Sequence, residues 1–161
     1  MTAGWSDHDV LCMRAALAEA REALAAGEVP VGAVVTAGER SLGRGRNRNL
    51  TQTDPTAHAE IVALREAALA SANPRLADAT LYVTLEPCPM CVGAMLHARI
   101  RRLVFAAYDP KGGAAGSVVD LSAVRGLNHR IEVNGGLLAD EAAGLLREFF
   151  AARRQAGPGA S

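Results

Sequence analysis

Apolar positions recur at three- and four-residue spacing through Val10, Met13, Leu17, Ala20 and Leu24. That is the buried stripe of an amphipathic helix. Ser6 followed by Asp9 reads as a capping box at its start, and Gly27 ends it. The pattern then changes. Val29 to Thr36 is valine-rich and reads as a strand. Ala37-Gly38-Glu39-Arg40 reads as a turn, and Ser41 to Arg46 returns as a second strand.

Asp54-Pro55 predicts a helix start, with Asp as N-cap and Pro in the first turn, and the helix runs to about Leu69. Asn73-Pro74 breaks it. Ala79 to Leu85 predicts a strand, Pro87 and Pro89 open a helix to about Ala98, and Ile100 to Ala107 predicts the next strand. A Gly-rich loop covers Asp109 to Ser117, a short strand Arg130 to Val133, and a last helix Asp140 to Arg154. This alternation predicts a three-layer α/β/α sandwich around a five-stranded mixed sheet. The first two strands form an antiparallel hairpin. The later ones, joined by helices, run parallel with right-handed crossovers. One domain over residues 6–155 and a disordered tail at 156–161 are expected.

Composition narrows the function classes. Half of the 161 residues are hydrophobic, enough for a sizeable core. Lys and Arg number 17, and so do Asp and Glu, which excludes a strongly basic coat that grips nucleic acid indiscriminately. Arg44, Arg46 and Arg48 read as a solvated face. Aromatic residues are 4% of the chain, so any base-stacking surface is small. Three cysteines make no disulfide framework and point to a reducing compartment. Met1 to Asp9 is polar and acidic, unlike a signal peptide, and no apolar run reaches the roughly 18 residues of a membrane span. A soluble, cytoplasmic protein is expected, with no membrane partner.

The chemistry concentrates in His58-Ala59-Glu60 and, thirty residues after His58, Pro87-Cys88-Pro89-Met90-Cys91. Two cysteines three apart in a helical first turn share one face, and the positive helix end favours thiolate. A histidine brought alongside completes three protein ligands, leaving a fourth zinc position for water. Glu60 is then a spare carboxylate that can shuttle the water's proton. Two plainer readings compete. A Cys-x-x-Cys redox pair would carry a thioredoxin-like pattern, which is lacking here. A structural zinc site would need a fourth ligand from Cys12, His8, His97 or His129.

H-x-E followed by P-C-x-x-C is the signature of zinc-dependent nucleobase deaminases. Beyond the signature, Asp54 to Glu60, Leu81 to Cys88, Gly113-Ala114-Ala115-Gly116-Ser117 and Phe149-Phe150 resemble the bacterial tRNA-specific adenosine deaminases. The resemblance spans about Ser6 to Gln155. It implies the cytidine-deaminase type of fold, one Zn2+ per chain on His58, Cys88 and Cys91, and Glu60 as catalytic residue. It implies hydrolysis of the wobble adenosine of a tRNA, an arginine tRNA, to inosine. By resemblance Val31, Asn47, Leu85 and Pro87 surround the nucleotide, while Asp109, Lys111, Phe150 and Arg154 touch the anticodon stem-loop. A homodimer is implied as well.

Asn47 also has a purely local reading as a turn residue after the second strand. Arg153 and Arg154 also suit an ordinary helix end, where cations meet the dipole. The tail after Arg154 lacks the lysines of a basic extension. Free-base guanine or cytosine deaminases share the zinc motif, but the Gly-Ala-Ala-Gly-Ser loop and the Phe-Phe helix point away from them. A riboflavin-pathway deaminase would carry a longer insertion between its cysteines and a fused reductase. A silent RNA-binding subunit would not need all four of His58, Glu60, Cys88 and Cys91.

Overall fold

The computed structural model describes residues 4–156. Helix α1 (Asp7–Ala25) starts on the expected capping box: the Asp9 N–H donates to Ser6 Oγ at 3.0 Å, and the Ser6 N–H donates to Asp9 Oδ2 at 3.2 Å. Strands β1 (Gly32–Ala37) and β2 (Arg40–Arg46) form the antiparallel hairpin. Then come α2 (Ala59–Ser71), β3 (Ala79–Leu85), α3 (Pro89–Ala98), β4 (Arg102–Ala107), β5 (Glu132–Gly135) and α4 (Ala139–Ala156).

The sheet order is β2-β1-β3-β4-β5. β1 is antiparallel to both neighbours, while β3, β4 and β5 run parallel. Side chains alternate across the sheet and both faces are covered. Ala33, Val35, Leu81, Val83, Leu103 and Phe105 pack under α2 and α3. Val34, Tyr82, Val104 and Ala106 pack against α1 and α4. This is the expected α/β/α sandwich. The β4-to-β5 connection differs, because it is an irregular segment rather than a helix.

Several boundaries move, each for a local reason. Asp54 does not cap a helix. Its Oδ1 accepts from the Thr56 N–H and hydroxyl, both at 2.8 Å, so it closes a turn and α2 waits until His58. β1 begins at Gly32 rather than Val29, because Pro30 has no N–H for a ladder. β4 begins at Arg102 rather than Ile100. Arg99 turns left-handed at the end of α3, and the Ile100 N–H donates back to Met95 at 3.1 Å. β5 starts two residues late, since the Ile131 N–H donates to Ser122 in the preceding loop. Helix α4 continues through Gln155 to Ala156, and the rest of the expected tail, 157–161, lies outside the described residues.

Two features set α2 for the site below. A Cβ on Gly45 would run into the Ala59 carbonyl, so glycine on β2 lets the start of α2 lie directly on the strand. On the opposite face, Asp9 anchors the sheet. It accepts from Tyr82 Oη and Arg102 Nη1, each at 2.8 Å, and Arg102 Nε donates to Asn134 Oδ1 at 2.9 Å. One carboxylate thereby joins α1 to β3 and β4, and through Arg102 to β5. Burial opposes its ionisation, yet the Arg102, Tyr82 and Ser6 donors prevail and hold it at about 2. Among the described residues no helix is long and apolar enough to cross a membrane.

Candidate active site

Two helix N-termini converge at the end of β3. His58 is the N-cap of α2 and Cys88 the N-cap of α3, both with extended backbone. Pro89 opens α3, where the missing N–H costs nothing. Cys91 is buried in the first turn of α3. His58 Nδ1 lies 3.4 Å from Cys91 Sγ and 3.6 Å from Cys88 Sγ. The three donor atoms all lie within 4.8 Å of one another.

The donor set fits zinc. A tetrahedral ion with Zn–N of about 2.0 Å and Zn–S of about 2.3 Å holds neighbouring N and S donors about 3.5 Å apart. That is the spacing found here. One of the two thiols is already disposed to ionise. A hydrogen bond from the Cys91 thiol, then the His58 partner, bring the Cys88 thiol down to about 4 despite burial. Cys91, the donor of that pair and itself buried, is pushed well above its ordinary value. Among the described residues these three form the one group able to hold a metal ion. Cys12 supplies no fourth ligand: it packs on the α1 face of the sheet, 3.5 Å from His8 Nε2. His129 Nε2 donates to the Ile100 carbonyl, 2.7 Å away.

Beside the donors lies a cavity of about 130 Å3. It is far smaller than the 300–1,000 Å3 of pockets for drug-sized ligands, and suits one flat nucleobase. Val29, Val31 and Leu85 form its apolar walls; Asn47, His58, Glu60, Glu86, Cys88 and Asp109 are its polar lining. Glu60, on the first turn of α2, is 4% exposed, and burial pushes its carboxyl up to about 7. A carboxyl near that value takes and returns a proton at neutral pH. Asn47 fills its local role and more. Its Oδ1 accepts from the Ala59 N–H at 2.9 Å, so the group it has left for a ligand is its amide NH2.

Of the expected site residues, Val31, Asn47, His58, Glu60, Leu85, Cys88 and Asp109 meet around this cavity, with Cys91 behind it. Pro87 is buried beside it, its carbonyl accepting from the Ala114 N–H at 2.8 Å. Lys111, Phe150 and Arg154 are not in the lining. Lys111 is exposed on the loop, its N–H donating to Asp109 Oδ1 at 3.0 Å. On α4 the helix phase sets Phe149 inward at 6% exposure and Phe150 outward at 47%. The Phe149 ring meets Phe150 edge-on at 5.2 Å and carries the Arg153 guanidinium, also at 5.2 Å.

The family model for MafB19-like deaminases matches residues 7–154. The chain is 51% identical to the tRNA-specific adenosine deaminase of Haemophilus influenzae, over 93% of this chain and 87% of that one. The chain belongs to the tRNA-specific adenosine deaminases. A solved structure from work on A-to-I editing by tRNA:A34 deaminases superposes with a TM-score of 0.82 at 46% identity, covering 84% of this chain and 99% of that one. The guanine deaminase of Nitrosomonas europaea is similar in fold but more distant: TM-score 0.73 and 29% identity, over 88% and 84% of the two chains. The order of these similarities favours adenosine deaminases over free-base guanine deaminases.

Sequence reasoning missed Glu86 in this deaminase. It is 2% exposed, lines the cavity, and accepts from three backbone N–H groups and a hydroxyl of the Gly-rich loop. Burial opposes its charge, but Ser117 and those N–H groups keep it below its ordinary value. The one signal available was an acid ending an apolar strand, directly before Pro87-Cys88.

Proposed function

We propose that the protein hydrolyses the wobble adenosine of a tRNA, an arginine tRNA, to inosine with release of ammonia. The observation that carries this is the buried Glu60 beside the His58, Cys88 and Cys91 donors in a cavity the size of one base. The three donors would hold one Zn2+, leaving a fourth position. Zinc bound there supplies the Lewis acidity that lets water act as a nucleophile near neutral pH.

The chain's own residues do the rest. Glu60 takes the proton from water and delivers it to N1 of adenine; it then takes the proton of the new C6 hydroxyl and passes it to the amino group, which leaves as ammonia as the C6–N bond breaks. The Asn47 amide NH2 donates to the nucleotide. Val31, Leu85 and the buried Pro87 segment shape an apolar slot that keeps the base in one orientation. A base reaches such a slot only out of its stack, and an anticodon loop presents unpaired bases at low cost. Lys111, Phe150 and Arg154 contact the anticodon stem-loop outside the slot, and Asp109 contacts it from the slot's own lining. This reading puts the catalytic machinery in a single domain, residues 6–155, and the protein in the cytoplasm with its substrate.

A homodimer is part of the same reading. The apolar groove between α2 and α3, lined by Ile61, Leu64, Leu76, Met90 and Ala94, offers surface that a second copy would cover. Light scattering of the purified protein tests it, and a monomer at micromolar concentration counts against it.

The function is tested by incubating tRNA with the protein and sequencing the anticodon loop, with Glu60→Ala as control. Inosine at the wobble position of an arginine tRNA is expected. Turnover of free adenosine or guanine with an unedited loop would favour a free-base deaminase.

A further inference from the structure

Glu86 is the one buried acid at the cavity that the proposed chemistry leaves without a task. Its two oxygens take four donors from one loop. Oε1 accepts from the Asp109 N–H at 3.1 Å and from the Ser117 hydroxyl. Oε2 accepts from the Ala115 N–H at 3.1 Å and the Ser117 N–H at 3.0 Å. An ionised carboxylate offers about four acceptor sites, so this one is saturated. It has no lone pair left for a substrate proton. The loop is packed down on it, since a Cβ on Gly113 would stand only 2.3–2.5 Å from the carboxylate atoms. Asp109 closes the loop from within, accepting from the Lys111 and Gly112 N–H groups at 3.0 and 3.1 Å, and it faces the cavity.

Glu86 itself is tied to the metal-site side of the cleft. It follows Leu85 at the end of β3 and stands two residues before Cys88. One side chain thus joins the segment between β3 and α3, which leads into the sulfur donors, to the loop that carries Asp109 and Lys111. We infer that Glu86 is a positioning residue: it clamps loop 109–117 as one wall of the cavity and so governs capture of the anticodon loop, not proton transfer. The inference deepens the deaminase reading above and rests on it only for the substrate.

The chain provides its own probe. Lys111 is its single lysine, and it is exposed on this loop. A lysine-specific endoprotease can therefore cut the protein only there, and the rate of cutting reports how often the loop opens. Glu86→Gln keeps size and shape but replaces one acceptor oxygen by an NH2, leaving a buried N–H facing a donor. With Glu86→Gln we expect cleavage at Lys111 at least tenfold faster than in wild type. KM for an anticodon stem-loop should rise at least tenfold, kcat should stay within threefold, and zinc content should be unchanged.

Ser117→Ala, which removes one of the four bonds, guards against a misfolded Glu86→Gln. Threefold faster cleavage of that variant supports the clamp. Wild-type cleavage rates in every variant that folds would overturn it. So would a hundredfold loss of kcat with KM and cleavage unchanged, which would place Glu86 in the chemistry. If the wild-type protein edits no tRNA, the deaminase reading fails, while the cleavage comparison still decides the clamp.

Discussion

His58 Nδ1 and Cys91 Sγ lie 3.4 Å apart although 33 residues separate them in the chain. Two helix starts aimed at one point make that contact, and no other group of described residues matches it as a metal site. The purified protein should contain one zinc per chain by elemental analysis. His58→Ala and Cys91→Ala should each drop the content well below half after dialysis against a weak chelator. Full zinc retention in both variants would mean that the ion sits elsewhere.

Glu60→Ala separates metal binding from proton transfer. Zinc content and the circular dichroism spectrum should match wild type. Single-turnover editing of a stem-loop should fall by at least about 10²- to 10⁴-fold, the range for a positioned acid–base group. Residual activity within tenfold of wild type would assign the proton shuttle to another group.

Contacts outside the slot should show in binding rather than in metal content. Phe150→Ala removes an exposed ring, and a lost stacking partner weakens RNA binding by about 1–3 kcal/mol. Lys111→Ala and Arg154→Ala should each lower the slope of log K against log salt by about one, if each side chain meets a phosphate. Salt-dependent titrations of a labelled stem-loop measure this. Unaltered slopes and affinities would place the RNA on another surface.

The Asp9 anchor predicts acid sensitivity. Its folded value of about 2 lies below the ordinary 3.8, so the folded state binds that proton less readily than the unfolded chain. The stabilisation is present above about pH 4 and disappears as pH falls through 2. At neutral pH it amounts to about 2 kcal/mol. Asp9→Asn should therefore lower stability at pH 7 by at least that much, since Arg102 also loses its partner. The gap to wild type should narrow between pH 5 and pH 2 in urea titrations. A gap independent of pH would contradict the assignment.

Gly113→Ala tests the close packing of the Gly-rich loop from the other side. The added methyl would stand 2.3–2.5 Å from the buried Glu86 carboxylate, whose four hydrogen bonds must give way for it to move. Loss of about 1–3 kcal/mol is expected, as for other overpacked buried sites, with zinc content retained. Thermal melting and elemental analysis together check it. A variant as stable as wild type would mean that the loop can lift without cost.

The donors, their spacing and the helix that carries the cysteines were legible in the chain, because they depend on neighbours within one helical turn. The capping box at Ser6 and Asp9, the Pro-opened α3, and the strand from Ala79 to Leu85 are local in the same sense. Their geometry follows from side-chain chemistry and backbone period. The outward Phe150 and inward Phe149 follow from that period too, once the helix has a core to face.

Long-range closure was not legible. Asp54 reads as a cap, yet its side chain finds Thr56 first and helix α2 starts four residues after Pro55. Cys12 reads as a small buried hydrophobe of the first helix, and it is one, but only the packed sheet shows that a whole layer separates it from the other cysteines. Glu86 meets donors 23, 29 and 31 residues away, across an irregular loop with no periodicity to announce them. A hydrophobic pattern reports which side of an element is buried. It carries no record of which loop folds back over a strand end, because that choice is made by hydrogen bonds that exist only after the layers have packed.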